Sequence, residues 1–345
     1  MTEKPTQADS ARVRARIDTL PRVRLAHLPT PLDACPRLSE KLGVTVSIKR
    51  DDCTGLAFGG NKVRQHEFVL GDALAVGADC IIQGSASQSN HSRQIAAAGA
   101  KLGLDVFLVP KQDAMSSPVQ GNYLIGHLLG ATILPIDPET SLIQRKDELA
   151  GELRAQGRRP YVVGMGAARS LALAAVAYVE ALVEIIEAWP GSQPPDWIFS
   201  TSQGSTQAGL QLGCELLGLP TRVVGINPLD ARHEAYLTPD EIAALVHDAA
   251  ALLGQTSSIT VADIVNSVDY VGPGYGVTTP AARDAIALLA ALEGILLDPI
   301  YTGKGFAGLV DQCRRGVIAP GQTAVFLHTG GLPALFSYAQ DLVHD

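Results

Sequence analysis

The sequence lacks an excess of positive charge, and charged residues of either sign are scarce. Of its 345 residues, 27 are Lys or Arg and 35 are Asp or Glu, a formal net charge of −8, and charged residues make up 18% of the chain. Proteins that bind nucleic acids neutralise phosphates with clustered basic side chains, so we expect no nucleic-acid partner. Hydrophobic residues make up 46% of the chain, enough to bury a large core, which excludes a disordered protein. The length suggests roughly two domains.

Cysteines are few and show no pairing pattern. They stand far apart and form no Cys-x-x-Cys pair, at positions Cys35, Cys53, Cys80, Cys214 and Cys313. A scattered, odd-numbered set argues against a disulfide framework and against a structural zinc site. It is typical of a reducing compartment, so we expect a cytoplasmic protein without a bound metal.

Long hydrophobic runs are absent as well. No stretch reaches the roughly 18 apolar residues of a membrane span, and residues 1–20 lack the apolar centre of a secretory signal. The Ala-rich stretch 171–189 is interrupted by Glu180, Glu184 and Glu187. These carboxylates recur at helical spacing, which predicts a helix with all three on its solvent-exposed face. We therefore expect no membrane partner.

Short β-branched runs alternate with Ala- and Leu-rich stretches along the chain. Strands are predicted at 44–48, 80–82, 106–109, 132–134, 161–163, 197–199, 222–226 and 324–327. Helices are predicted at 67–77, 93–103, 171–189, 206–218 and 280–294. This alternation indicates βαβ units and parallel sheets. Such sheets bind ligands at the carboxyl ends of their strands, so the strand-to-helix loops are the candidate binding segments.

The first candidate segment is Gly59-Gly60-Asn61-Lys62. Two glycines let the backbone approach a flat ligand closely. A partly desolvated Lys62 amine loses its charge readily and could form a Schiff base. The same residues are also typical of a simple turn with a solvated lysine, so this segment alone leaves both interpretations open.

Two other segments connect a predicted strand to a predicted helix. In residues 85–94, Ser89 or Asn90 could cap the helix, whose free amides also suit a carboxylate, and His91 could be an acid–base group or an incidental histidine. In residues 200–209, the loop offers amides and hydroxyls to a phosphate or is only a well-capped helix start. It matches neither a Walker loop nor Gly-x-Gly-x-x-Gly.

Two turns near the C-terminus each present a tyrosine, Tyr275 and Tyr301. A tyrosine is more often a core residue than a catalytic one, so neither stands out alone. The combination is more informative. A candidate Schiff-base lysine, a phosphate loop and a carboxylate-binding helix start together indicate pyridoxal phosphate (PLP) and an amino acid.

Seven short motifs carry a resemblance to a known family. They occur in order as Ile48-Lys49-Arg50-Asp51-Asp52, Gly59-Gly60-Asn61-Lys62, Gln88-Ser89-Asn90, Gly204-Ser205-Thr206-Gln207, Pro273-Gly274-Tyr275-Gly276, Asp298-Pro299-Ile300-Tyr301-Thr302-Gly303-Lys304 and His328-Thr329-Gly330-Gly331. With them the chain resembles the D-cysteine desulfhydrases and 1-aminocyclopropane-1-carboxylate (ACC) deaminases. These are PLP enzymes of the tryptophan synthase β-like fold. The resemblance extends from Arg22 to Tyr338, nearly the whole chain.

The resemblance implies roles for the matching positions. Lys62 would bind the cofactor covalently with Asn61 beside it, and Asn90 would hydrogen-bond the ring oxygen of the cofactor. Ser89, with the helix start after it, would receive the substrate carboxylate. Gly204, Ser205 and Thr206 would hold the cofactor phosphate, and Ser202 and Gln203 of the same loop would also bind the cofactor. Lys62, Ser89, Tyr275 and Tyr301 are the implied catalytic residues, the tyrosines facing the substrate.

Thr302 bears on the choice within the family, because it would meet the pyridine nitrogen. ACC deaminases have Glu at this position, and desulfhydrases have Thr. A carboxylate stabilises a protonated ring and makes it a strong electron sink, whereas a neutral hydroxyl gives a weaker one. The weaker sink suffices for β-elimination, where a good leaving group takes the electrons, whereas the opening of a cyclopropane lacks such a leaving group. Thr302 therefore favours elimination.

The sequence departs from the family pattern at two places. Gln65 stands where the desulfhydrases have a lysine, so a cationic phosphate contact could be missing. Residues 164–170 replace a Gly-Gly-Ser-Asn pattern and include Arg169, which could meet an anionic substrate group or be a surface residue. The loop at Gly204 is more similar to that of the deaminases.

We therefore expect an α/β protein with two open, twisted, mostly parallel sheets flanked by helices (PLP fold type II). Residues 1–64 and 175–345 would form a large cofactor-binding domain, and residues 65–174 a small one. The expected activity is α,β-elimination on D-cysteine or an analogue such as cysteate or 3-chloroalanine. An ACC deaminase, an amino-acid racemase and a non-catalytic PLP-binding protein are the alternatives. The resemblance implies a homodimer.

Overall fold

The computed structural model describes residues 4–113 and 116–343, and its first sheet has six strands. They are β1 (Leu32–Ala34), β2 (Thr45–Lys49), β7 (Trp197–Thr201), β8 (Arg222–Ile226), β9 (Val265–Ser267) and β10 (Thr323–Leu327). Their order across the sheet is β1-β2-β10-β7-β8-β9. All neighbours are parallel except β1 and β2, which pair antiparallel with Leu32 opposite Lys49.

The second sheet has four strands, all parallel. They are β3 (Cys80–Ala86), β4 (Asp105–Lys111), β5 (Thr132–Ile133) and β6 (Pro160–Val162), in the order β5-β4-β3-β6. Cys80 of β3 lies opposite both Asp105 and Pro160. The predicted fold class, two mostly parallel sheets flanked by helices, is confirmed.

Helices flank both sheets. They are α1 (Gln7–Ile17), α2 (Pro36–Leu42), α3 (Asn61–Ala75), α4 (Asn90–Leu102), α5 (Gly121–Leu128), α6 (Leu142–Ala155), α7 (Ala168–Ala188), α8 (Ser205–Leu216), α9 (Pro239–Leu252), α10 (Pro280–Glu293), α11 (Thr302–Arg314), α12 (Leu332–Ser337) and α13 (Ala339–Leu342). Of the helices that the structure describes, none combines the length and the apolar character needed to cross a bilayer.

The longest helix, α7, lies at the centre of the largest hydrophobic core. It packs against α3, α8 and α9. Its buried face belongs to the same cluster as Ile81 of the second sheet and Ile198 of the first. The strands of the second sheet all fall between residues 80 and 162. Two smaller clusters each pack against one sheet only. The proposed division into residues 1–64 with 175–345 and residues 65–174 stays a prediction.

The predicted helix at 67–77 begins earlier than the sequence pattern suggested, at Asn61. Its first turns contain polar residues that are buried, among them Asn61, Arg64 and Gln65. Buried polar residues hide the apolar periodicity by which a helix is recognised. Lys62 therefore lies in the first turn of a helix, directly after the Gly-Gly turn.

The prediction that Glu180, Glu184 and Glu187 share a solvent-exposed face was wrong for two of them. Glu180 and Glu184 are buried, 7% and 3% exposed. Glu180 forms an ion pair with Arg22 at 2.7 Å, and Glu184 forms one with Lys49 at 2.6 Å. Cationic partners from distant segments make this burial possible. Only Glu187 is exposed.

Candidate active site

A cavity of about 770 Å³ opens where strands of both sheets end. Ala86 and Lys111, the last residues of β3 and β4, line it from the second sheet, and Thr201, the last residue of β7, lines it from the first. This is the edge at which parallel sheets bind ligands. The cavity brings together nearly all predicted site residues, namely Asn61, Lys62, Ser89, Asn90, Ser202, Gln203, Gly204, Ser205, Thr206, Tyr275 and Tyr301.

The Gly-Gly turn presents Lys62 to this cavity. Gly59 and Gly60 adopt left-handed φ angles of +64° and +120°, and a Cβ atom at Gly59 would lie 2.0 Å from the carbonyl oxygen of Asp52. Only glycine fits this conformation and spacing. Burial lowers the pKa of Lys62 to about 8. A lysine with such a pKa is partly uncharged near neutral pH and can act as a nucleophile.

The loop before α8 is an anion-binding arrangement. Gly204 has a φ of +151°, and the Ser202 hydroxyl accepts hydrogen bonds from the N–H groups of Gly204 and Gln207, both at 3.1 Å. The N–H groups of Gln203, Ser205 and Thr206 donate to no acceptor among the described residues. Free amides at a helix start suit a phosphate. This donor set fits the phosphate of PLP.

Gln65 lies near this loop and has an unused donor. Asn61 Nδ2 lies 3.5 Å from Thr206 Oγ1, which joins the start of α3 to the start of α8. Gln65 follows one turn later on the same face of α3. It is 3% exposed and lines the cavity, and its Nε2 has no hydrogen-bond partner among the described residues. Gln65 is thus a neutral side chain at the cavity that can still donate a hydrogen bond.

The start of α4 carries Ser89 and Asn90. Ser89 is the cap of this helix, because its hydroxyl accepts a hydrogen bond from the N–H of Ser92 at 3.2 Å. The amide oxygen of Asn90 accepts from Asn122 Nδ2 at 3.0 Å and from Arg93 Nη2 at 3.2 Å. Both interactions lie on the protein side. The NH₂ group of Asn90 is therefore left to donate toward the cavity.

Tyr275 and Tyr301 form a pair through their hydroxyl groups, with ring centroids 5.9 Å apart. Burial raises the pKa of both phenols, and for Tyr275 the neighbouring Tyr301 adds to the effect. Both side chains therefore keep their protons at neutral pH. They are hydrogen-bond and proton donors rather than bases.

Thr302 does not line the cavity with the other predicted residues. It is fully buried at the start of α11, and its hydroxyl donates to Asp298 Oδ2 at 2.7 Å. Asp298 also accepts from the N–H groups of Ile300 at 2.9 Å and Tyr301 at 2.8 Å. Asp298 thus fixes the loop that carries Tyr301. The contact of Thr302 with the pyridine nitrogen stays a prediction.

Two histidines on neighbouring helices stack beside Lys62. The ring centroids of His66 and His91 are 4.9 Å apart, and both residues line the cavity. Burial lowers the pKa of His66 to about 3 and that of His91 well below its ordinary value. Both rings are therefore neutral at physiological pH. The sequence indicated His91 as a candidate but not His66, because a histidine inside a helix has no distinctive sequence signal.

The loop between β8 and α9 also contributes residues that the sequence did not indicate. The ring of His233 packs edge-on against Tyr275 with centroids 5.1 Å apart. Its neighbour Glu234 forms an ion pair with Lys111 of β4 at 3.1 Å. These residues line the cavity, so the ion pair connects its two walls. Arg169, by contrast, is exposed, pairs with Asp72 at 2.6 Å and lies outside the cavity lining.

Comparison with known proteins identifies the family. The family model of pyridoxal-phosphate dependent enzymes matches residues 23–330. The chain belongs to this family. The predicted cofactor, PLP, is thereby confirmed, and the lysine, the free amides and the glycine turn described above are residues that suit it.

Members of the PLP-dependent family with known functions match almost the whole chain. D-cysteine desulfhydrase of Klebsiella pneumoniae (strain 342) is 40% identical over 323 residues, which cover 92% of this chain and 96% of that protein. D-cysteine desulfhydrase of Salmonella typhi is 41% identical over 323 residues, with the same shares of the two chains. The predicted resemblance to the desulfhydrases is confirmed.

Solved structures support the same family and fold. A crystal structure of an ACC deaminase homologue superimposes with a TM-score of 0.85 at 36% identity, covering 96% of this chain and 98% of that one. Threonine deaminase isoform 2 from Solanum lycopersicum has a TM-score of 0.64 at 15% identity, covering 100% and 97%. The second likeness concerns the fold alone.

Proposed function

We propose that this protein is a PLP-dependent lyase that removes the β-substituent of a small amino acid, D-cysteine or a close analogue. The products would be pyruvate, ammonia and the leaving group. The observation that carries the proposal is the cavity itself. It combines the Lys62 amine, a loop of free amides and two protonated phenols in a chain about 40% identical to D-cysteine desulfhydrases.

Each part of the cavity has a role in this proposal. Lys62 would hold the cofactor covalently, the amides of Gln203, Ser205 and Thr206 would hold its phosphate, and Asn90 would contact its ring oxygen. When bound, PLP supplies an electron sink for the electrons of the Cα–H bond. The substrate carboxylate would bind at the start of α4, where Ser89 lies and the helix offers unpaired N–H groups.

Proton transfer in the proposed reaction depends on two kinds of group. The substrate amine would first displace Lys62 from the cofactor, and the released Nζ atom, whose pKa burial lowers to about 8, would then accept the proton from Cα. The phenols keep their protons because burial raises their pKa, so Tyr275 or Tyr301 donates a proton to the departing β-substituent. The base and the acid thus lie in one cavity and differ strongly in pKa.

ACC deaminase activity is the second candidate, because the ACC deaminase homologue is the neighbour with a TM-score of 0.85. The predicted contact of Thr302 with the pyridine nitrogen argues against it, since a neutral residue there would give a weaker electron sink than a carboxylate. A cytoplasmic location and a homodimer complete the proposal. Sedimentation of the purified protein tests the oligomeric state.

A substrate panel tests the proposed function. The holoenzyme is titrated with D-cysteine, L-cysteine, L-cysteate and ACC while its absorbance, pyruvate and 2-oxobutyrate are measured. We expect pyruvate from D-cysteine or another β-substituted compound, and neither the covalent cofactor band nor turnover in Lys62→Ala. 2-Oxobutyrate from ACC without pyruvate from the others would establish the deaminase. Normal turnover in Lys62→Ala would refute the role of Lys62.

A further inference from the structure

Arg93 is a buried cation without a carboxylate partner. It lies in α4, one turn after Asn90, and is 0% exposed. Its Nε donates to Asn122 Oδ1 at 2.7 Å, and its Nη1 donates to the carbonyl oxygen of Gly59 at 3.1 Å and to that of Ala57. Within residues 4–113 and 116–343 it forms no ion pair. All its partners are neutral.

An unpaired buried charge is unfavourable, so its presence needs a reason. Taking a charged group out of water costs several kcal/mol unless an opposite charge compensates it. Burial lowers the pKa of Arg93 to about 9, so the guanidinium still carries its charge at neutral pH. Because Arg93 contacts Asn90, and Asn90 lines the cavity, this charge lies directly behind the cavity wall. An anionic group bound there would compensate it.

The contact with Asn90 also fixes how that side chain points. Arg93 Nη2 and Asn122 Nδ2 are both donors, so only the oxygen of the Asn90 amide can form hydrogen bonds with them. A flipped amide would place its NH₂ group against two other donors. The NH₂ group of Asn90 is therefore held on the side of the cavity.

Arg93 makes a second connection, to the loop before Lys62. Ala57 and Phe58 in that loop adopt left-handed φ angles of 44° and 68°. Such angles are unfavourable for residues other than glycine and persist where neighbouring structure holds them. The hydrogen bonds from Arg93 to the carbonyls of Ala57 and Gly59 keep the loop in this conformation. One side chain thus connects the turn that presents Lys62 with the helix that presents Asn90.

We propose that Arg93 is a positioning residue that keeps the Asn90 NH₂ group directed at the ring oxygen of PLP and stabilises the anionic form of that oxygen. The inference rests on the proposed function only in requiring PLP bound at Lys62. It holds whichever amino acid is the substrate. Arg93 itself does not touch the substrate in this proposal.

The test uses the holoenzyme and two readouts besides activity, the dissociation constant of PLP and the pH titration of the bound cofactor's absorbance. Arg93→Gln removes the charge and the planar fork. We expect PLP to bind about 10- to 100-fold more weakly, as for other residues that orient a ligand-binding group. We also expect the pKa read from the absorbance to rise by about one unit. Arg93→Lys keeps the charge and shifts this pKa less. The exposed Arg315→Gln is the control and changes neither readout.

A second variant, Asn122→Asp, makes the test independent of whether Arg93→Gln folds. It keeps an acceptor for Arg93 Nε but adds a counter-charge and removes the Asn122 donor to Asn90. We expect the pKa of the bound cofactor to rise here as well. If the folded variants bind PLP and titrate like the wild type, the positioning role is refuted. A wild-type protein with the cofactor band but no keto acid from any substrate would instead refute the proposed function alone.

Discussion

Two buried arginines on adjacent helices, Arg64 of α3 and Arg93 of α4, lie in opposite electrostatic surroundings. Arg64 donates to Asp51 Oδ2 at 2.9 Å and to Glu184 Oε1 at 3.1 Å, and these carboxylates, against the opposing effect of burial, raise its pKa further. Arg93 has only neutral acceptors, and burial lowers its pKa to about 9. The buried charge of Arg64 is compensated by carboxylates, whereas that of Arg93 has no counter-charge among the described residues.

The surroundings of Arg64 form a closed ionic cluster. Lys49 of β2 pairs with Glu184 at 2.6 Å, and the hydroxyl of Tyr178 donates to Asp51 Oδ2 at 2.8 Å. None of these residues lines the cavity. The backbone oxygen of Asp51 accepts the N–H of Gly60 at 3.1 Å, so the cluster supports the turn before Lys62 from behind.

The largest effect is expected from Arg64→Gln, which removes one cation from the ionic cluster. It leaves the carboxylates of Asp51 and Glu184 buried with less positive charge, which typically costs about 3–5 kcal/mol. We expect a loss of that size in the free energy of unfolding, measured by urea denaturation. The exposed variant Arg315→Gln should change it by about 1 kcal/mol or less. Equal losses in the two variants would show that the cluster adds no stability.

The pH dependence of stability is a second test of the ionic cluster around Arg64. Burial alone would raise the pKa of Glu184, but Arg64 and Lys49 outweigh it and lower the pKa to about 2. A carboxyl whose pKa is lower in the folded state contributes stability that is present above its unfolded pKa and is lost as pH falls toward the folded one. We expect the unfolding free energy to fall between about pH 5 and pH 2. In Glu184→Gln this fall should be shallower, and an unchanged slope would contradict the assignment.

Arg93→Gln should affect PLP binding more than stability, the reverse of what we expect for Arg64→Gln. It relieves an uncompensated buried charge but also removes hydrogen bonds to buried neutral acceptors, so we expect the cofactor-free protein to lose about 1–3 kcal/mol, less than Arg64→Gln. Its defect should appear in PLP binding instead. Urea denaturation without PLP and a PLP titration separate the two effects. A large loss of stability with normal PLP binding would erase the contrast between the arginines.

The smallest expected effect is that of Gln65→Lys, which adds a further cation at the cavity. A charged donor forms hydrogen bonds to phosphate that are roughly twice as strong as neutral ones. We therefore expect PLP to bind a few-fold more tightly, as measured by equilibrium titration. Gln65→Met has similar length and no donor, and it should bind PLP more weakly than the wild type. Identical PLP affinities in all three proteins would show that Gln65 does not contact the phosphate.

Much of the fold could be predicted because the strands of a parallel sheet are apolar runs. Each of the predicted strands has a counterpart in the structure. β1 and β9 were missed because they are three-residue edge strands, too short to show a periodicity. Glu180 and Glu184 were misplaced because the sequence pattern of α7 does not reveal Arg22, Lys49 and Arg64 as their partners.

The candidate site could be predicted where the backbone conformation requires particular residues in a short motif. The glycines before Lys62 and the loop at Gly204 are such cases, since their φ angles leave few alternatives. Arg93 and Asn122 could not be predicted. Their role comes from hydrogen bonds between segments 29 residues apart, and a buried charge held by amides has no signature in the sequence.

The ion pair between Lys111 and Glu234 has a kinetic consequence. Both side chains are about a quarter exposed, 28% and 27%, so water and dissolved ions compete with the pair. Interactions of this kind weaken as salt rises, in contrast to the buried ion pairs of Arg64. The pair joins the loop after β8 to the end of β4, across the cavity. The rate at which an amino acid reaches Lys62 should therefore respond to ionic strength, even while the chemistry inside the cavity stays the same.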